Sequence, residues 1–267
     1  DWDSIVANIA FCGKVIQLLS GNISAEMKAA FVFSGQGAQK AGMGKAFYEA
    51  NETVKKLFDG AEVLRAGTLK QCFEGTAEEL KETQNTQPCL YLADLAAAIA
   101  VSEAGITPDG VAGFSLGEIP ALAFAGAYSH LDGFQLAMKR GEAMAKAAAE
   151  HPASMLAVMK LENEKTEEIC KQFRQVYPVN YNAPGQLVVA GAKEEMDDFN
   201  KAIREAGGRG MPVAVGGGFH SPFMDEAAKE FSSEIGKFVL KQPEILVYSN
   251  YTTEPYGENV LELMTNQ

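Results

Sequence analysis

A serine set between two glycines, Gly113-Phe114-Ser115-Leu116-Gly117, carries the sharpest chemical signal in this sequence. It follows a run of small apolar residues, Gly110-Val111-Ala112, that reads as the end of a buried strand, and residues 118–127 after it read as a buried helix. A serine at a strand-to-helix turn is a nucleophile elbow: its neighbours must be small, and the turn lifts the hydroxyl off the sheet. The first helical N–H groups are then left to face an anion. From these five residues alone, an ordinary strand–helix connection is the competing reading. A second stretch, Gly216-Gly217-Gly218-Phe219-His220-Ser221-Pro222, presents His220 from a glycine-rich loop. An imidazole there could serve as a general base, whereas His130 and His151 read as structural. Arg140 is bracketed by Ala137, Gly141 and Met144, so two placements stand open: inward, where a guanidinium demands an anion, or snorkelling at the surface.

The elements that must position these groups fall into two patterns. Residues 29–33 form a continuous apolar run, as for a strand covered on both faces, followed by the glycine loop Ser34-Gly35-Gln36-Gly37-Ala38-Gln39. A helix starting at Thr86-Gln87-Pro88, with the proline near its first turn, runs apolar on nearly every side and stops at Gly105. Asp132 is placed to cap the helix that carries Arg140. From 153 to 215 the period changes, and the order reads strand, helix, two strands, helix, strand: a ferredoxin-like βαββαβ lobe. It lies between the elbow and His220, so it reads as an insertion dividing a core at 27–152 and 216–267. Residues 1–26 read as an extension of unassigned role.

Composition narrows the function classes. Hydrophobic residues make up 47% of the 267, which supports a sizeable core. A net charge of −12 argues against a general nucleic-acid binder. No apolar run approaches a membrane span. Cys12, Cys72, Cys89 and Cys170 lack C-x-x-C spacing and fit reduced thiols in a cytoplasm, and the three histidines make a structural zinc site an unfavoured reading. No metal is expected.

Five segments in order resemble one family: 33–39, Gly113-Phe114-Ser115-Leu116-Gly117-Glu118, Arg140-Gly141, Asn180-Tyr181-Asn182-Ala183-Pro184-Gly185-Gln186, and Gly218-Phe219-His220-Ser221. Together they resemble the malonyl-CoA:acyl carrier protein transacylases and, more broadly, the acyltransferase domains of fatty acid and polyketide synthases, over residues 27–267. The resemblance implies an α/β-hydrolase-like core with a parallel sheet plus the inserted ferredoxin-like lobe. It implies Ser115 as nucleophile and His220 as base and then acid. It implies the amides of Gln36 and Leu116 as the oxyanion hole, Arg140 as the clamp on a malonyl carboxylate, and Gln267 as the residue orienting the histidine. Asn182, Met144 and Phe219 are expected near substrate, and the phenylalanine goes with malonyl rather than methylmalonyl. The implied substrates are a malonyl-CoA thioester and the phosphopantetheine thiol of acyl carrier protein, with no permanently bound cofactor, in a cytoplasmic monomer of fatty acid synthesis. A discrete polyketide acyltransferase and a serine esterase are the alternatives. The sequence departs from the family pattern at Phe114, where a histidine is usual, and at Ser34, where a proline is frequent. Family members also extend several tens of residues further.

Overall fold

The computed structural model describes residues 29–267; the extension, with Cys12, lies outside the described residues. The chain divides into two units, one of residues 29–141 and 231–267, the other Glu142–Glu230. The first unit opens with β1 (Ala30–Phe33), α1 (Lys45–Ala50), α2 (Glu52–Leu64), α3 (Thr68–Glu74), α4 (Ala77–Lys81) and α5 (Thr83–Glu103). Then come β2 (Gly110–Gly113), a single 3-10 turn Ser115–Gly117, α6 (Glu118–Phe124) and α7 (His130–Glu150), whose residues beyond Gly141 belong to the second unit. The second unit continues with β3 (Ala153–Met159), α8 (Asn163–Cys170), β4 (Val176–Ala183), β5 (Gln186–Ala192), α9 (Lys193–Glu205) and β6 (Arg209–Pro212). After α10 (Asp225–Ile235) the chain ends in the first unit with β7 (Leu246–Tyr248) and α11 (Val260–Asn266).

The first unit is built on a parallel sheet of order β1-β2-β7. Its register pairs Phe33 with Gly113, so the loop after β1 and the elbow after β2 leave the sheet side by side at its carboxyl end. Alternation sets the faces: Phe33, Val111 and Val247 are buried, whereas Val32 is 53% exposed and Leu246 53% exposed. The expectation of a first strand covered on both faces is therefore corrected; β1 buries one face, because period-2 alternation sends Ala30 and Val32 outward. In α2, Val54, Leu57, Phe58 and Ala61 recur at i, i+3, i+4 and i+7 and are buried, and the Asn51 side chain caps it by accepting from the Val54 amide at 2.9 Å.

Two helix starts differ from expectation. Helix α5 begins at Thr83 rather than Thr86, so Pro88 lies inside it. The amides of Asn85 and Thr86 bond the Glu82 carbonyl, and the Thr86 hydroxyl bonds the carbonyls of Leu80 and Glu82, which secures the turn before the proline. Helix α7 is capped by Ser129, whose hydroxyl accepts from the Asp132 amide at 3.1 Å; Asp132 itself sits in the first turn. The second unit holds an antiparallel sheet of order β4-β5-β3-β6. One apolar cluster joins it to α8 and α9 through Ile169, Val189, Phe199 and Ile203.

Candidate active site

The elbow is as tight as its glycines suggest. A Cβ on Gly113 would lie 2.0 Å from the Gly117 carbonyl carbon, and one on Gly117 would lie 2.4 Å from the Phe33 carbonyl oxygen and 2.6 Å from that of Ser34. Backbone meets backbone there, so no side chain fits. Ser115 takes φ 54°, a left-handed conformation that a non-glycine residue holds only when its surroundings enforce it. Asn250, just beyond β7, supplies the enforcement. Its Nδ2 donates to the Gly113 carbonyl at 2.6 Å and its Oδ1 accepts from the Ser115 amide at 2.6 Å, bridging the two sides of the turn.

Arg140 points inward and is 6% exposed. One terminal nitrogen donates to the Ser115 hydroxyl at 3.1 Å and to Gln267 Oε1 at 2.6 Å; the other donates to Gln87 Oε1 at 3.1 Å. Gly141 makes room for this, since a Cβ there would lie 3.0 Å from the Thr83 carbonyl oxygen. All three acceptors are neutral, and among the described residues no carboxylate forms an ion pair with Arg140. Burial lowers its pKa to about 10, opposed by the attraction of Glu118 at longer range. It remains a cation near neutral pH.

Glu118, the residue after the elbow, is 1% exposed. Its carboxylate accepts from the Asn250 amide at 2.9 Å and from Gln267 Nε2. Burial pushes its pKa up to about 7, against the Asn250 hydrogen bond and the field of Arg140. Gln267 also donates to the Ser115 carbonyl at 3.0 Å, so one amide side chain touches the serine backbone, the arginine and the buried acid.

The structure thus brings Ser115, Arg140 and Gln267 together. Leu116 is 1% exposed in the same turn, and Gln36, in the loop after β1, donates through Nε2 to the Thr83 hydroxyl at 3.2 Å. In the second unit, His220 is half-buried at φ 60°, and Phe219 and Met144 share one apolar cluster. The Ser221 hydroxyl closes that loop on the Gly218 carbonyl. Asn182 is exposed on β4. Sequence reasoning missed Gln87, Glu118 and Asn250. Glu118 left a trace, an acid opening an otherwise apolar buried helix; Asn250 left none, because its partners lie 135 and 137 residues away. Among the described residues no group of three His, Cys, Asp or Glu is placed to hold a metal ion, and no helix is long and apolar enough to cross a membrane.

The acyl transferase domain family matches residues 30–264. This chain belongs to the acyl transferase domain family. The acyl transferase is 37% identical over 237 residues to the malonyl CoA-acyl carrier protein transacylase of Bacillus subtilis (strain 168), covering 86% of this chain and 75% of that protein. The enzyme of the same name from Staphylococcus aureus (strain MRSA252) is 36% identical over 243 residues, 89% of this chain and 78% of the relative. Among solved structures, the malonyl CoA-acyl carrier protein transacylase of Clostridium perfringens matches with a TM-score of 0.86 at 34% identity, over 90% of this chain and 78% of that one. A malonyl-transacylase in complex with a type II polyketide acyl-carrier protein matches with a TM-score of 0.84 at 31% identity, over 90% and 80%. The acyl transferase therefore shares the mixed α/β fold of these enzymes, with its parallel and antiparallel sheets.

Proposed function

We propose that this acyltransferase moves the malonyl group from malonyl-CoA to the phosphopantetheine thiol of acyl carrier protein, through a malonyl-serine intermediate, in fatty acid synthesis. The observation that carries the reading is Arg140: a buried cation with only neutral acceptors, 3.1 Å from the Ser115 hydroxyl. A buried charge is costly unless an anion meets it. The free carboxylate of a malonyl group attached to Ser115 is such an anion, and a guanidinium can hold it through two parallel hydrogen bonds. An esterase acting on uncharged esters leaves the buried guanidinium unexplained.

On this reading the Ser115 oxygen attacks the thioester carbonyl and its proton passes to His220. The tetrahedral oxyanion is held by the amides of Leu116 and Gln36. The carbon–sulfur bond breaks, and the coenzyme A thiolate leaves with the proton from His220. The carrier thiol then reverses these steps, which makes the cycle ping-pong. Gln267 steadies the machinery that includes the histidine, and its bonds to the Ser115 carbonyl and to Arg140 support a placing role. Phe219, with Met144 and Asn182, sets the substrate's shape; a bulky ring disfavours an α-methyl by about 1–3 kcal/mol. The strand and helix order of residues 153–215 supports a ferredoxin-like lobe inserted in an α/β-hydrolase-like core. We read the enzyme as a cytoplasmic monomer with no resident cofactor. The polyketide complex among its structural neighbours favours a second reading, the same transfer to a polyketide carrier.

The test is intact-mass analysis after incubation with malonyl-CoA. The protein gains one malonyl group and Ser115→Ala gains none; an adduct that survives in Ser115→Ala refutes the nucleophile. In Arg140→Ala, transfer of malonyl falls relative to acetyl by about 100-fold or more, as expected for removing a charge-assisted pair. Undiminished malonyl preference in that variant overturns the clamp.

A further inference from the structure

The loop that follows β1 is held by a contact that the transfer chemistry does not use. Ser34 is 5% exposed, and its hydroxyl sits 2.9 and 3.0 Å from the two carboxylate oxygens of Asp94, an acid buried in the middle of α5. The loop has no slack against the elbow. A Cβ on Gly35 would lie 2.6 Å from both the Phe114 ring and the Phe114 carbonyl oxygen, and the Ser34 carbonyl oxygen is one of the atoms that exclude a side chain at Gly117. The Phe114 amide also donates to the Phe33 carbonyl at 3.0 Å. Moving Ser34 therefore moves residues 35 and 36 relative to the serine turn.

We propose that Asp94 is a positioning residue, which through Ser34 locks the loop of residues 34–37 against the elbow and so sets where the Gln36 amide stands relative to the acylated serine. The inference rests on the reading of Gln36 as an oxyanion donor. An isolated carboxylate inside an apolar helix is expensive, and a neutral leucine would pack more cheaply there. The contact with Ser34 gives the carboxylate a geometric role there. A proline would stiffen the backbone there without a partner, whereas here a hydrogen-bonded pair does so. The neighbouring titratable group on α5, Tyr91, is committed elsewhere, its hydroxyl bonding the His130 carbonyl at 2.7 Å. Burial raises the Asp94 pKa to about 7, lowered in turn by its hydrogen bonds from Ser34, and no lysine or arginine contributes.

The experiment uses the full chain and two readouts. Hydrogen exchange follows the amides of residues 34–37, whatever the substrate. Single-turnover acylation by malonyl-CoA follows the rate and KM separately. Asp94→Asn keeps the shape but turns one of the two acceptor oxygens that face Ser34 into a donor. It is expected to speed exchange in the loop and slow acylation by about 10–100-fold, with KM within about twofold. Ser34→Ala should give the same losses, and Ser34→Ala with Asp94→Asn should lose no more than either alone. Losses that multiply, or exchange and acylation both unchanged in Asp94→Asn, overturn the proposal. Should the single variants fail to fold, Ser34→Pro with Asp94→Leu replaces the pair by backbone stiffness and an apolar side chain. Recovery of a folded protein with slow loop exchange supports the positioning role, and a folded double variant with a freely exchanging loop refutes it. If the unmodified protein accepts no malonyl group, the functional reading fails on its own, while the exchange measurements still decide the role of Asp94.

Discussion

Glu118→Gln isolates the energetic cost of burying an acid beneath the Ser115 turn. The folded protein holds the Glu118 carboxyl at about 7, against 4.5 in the unfolded chain, chiefly through burial. Between those values the folded state binds a proton that the unfolded state has already lost. Stability therefore falls as pH rises through this window and levels off above it. At 1.36 kcal/mol per pH unit the fall amounts to about 3 kcal/mol. Glutamine cannot titrate, so that slope disappears. It introduces a different penalty, because the Asn250 amide and Gln267 Nε2 both donate to the carboxylate and an amide offers one acceptor oxygen. One buried donor left unpaired costs about 1–3 kcal/mol, at every pH. The slope and the offset can thus be separated. Urea denaturation of both proteins from pH 5 to 8 measures each. Across this range the advantage of the unmodified protein over the variant should be greatest at pH 5 and shrink by about 2.5 kcal/mol by pH 8. Asp94, also raised to about 7, adds the same trend to both proteins and cancels in the difference. A difference that stays flat across this range would mean that Glu118 is not held as a high-pKa acid, and the electrostatic account of the cluster would fall.

Two further outcomes follow from the elbow. Gly117→Ala drives a methyl into the carbonyls of Phe33 and Ser34 and should cost about 3 kcal/mol or more, read as a lower denaturation midpoint; a neutral effect would show that the turn is looser than described. Asn250→Ala removes the bridge between Gly113 and Ser115 and, on the proposed function, should lower the acylation rate about 10–100-fold with little change in KM, since Ser115 is displaced rather than substrate contacts removed. A rise in KM with an unchanged rate would contradict that assignment.

What was legible in the sequence was local. The elbow announces itself through paired glycines, and the strands and helices of the antiparallel sheet through alternating periods of two and 3.6 residues. The inward turn of Arg140 was one of two open readings from the residues alone, and burial decided it. What stayed hidden depends on partners distant in the chain. Glu118 and Gln87 look like ordinary helix residues until Gln267 and Arg140 meet them, and Asn250 looks like any loop asparagine. The early start of α5 was hidden because Pro88 reads as a first-turn residue, and nothing in Thr83-Gln84-Asn85 marks the turn that precedes it. The outward face of β1 was hidden because five apolar residues in a row show no alternation to read. Ser34 shows only as a departure from a family pattern; its partner, 60 residues on, is visible only in three dimensions.

The bridge made by Asn250 also sets a timetable. Synthesis at about 5–20 residues per second puts roughly 7–27 s between the emergence of Ser115 and that of the side chain that holds it, 135 residues later. Through that interval the turn has glycines to permit its shape and nothing to impose it. A nascent chain on the ribosome should therefore hold no fixed turn at Ser115 until Asn250 has emerged and β7 has docked.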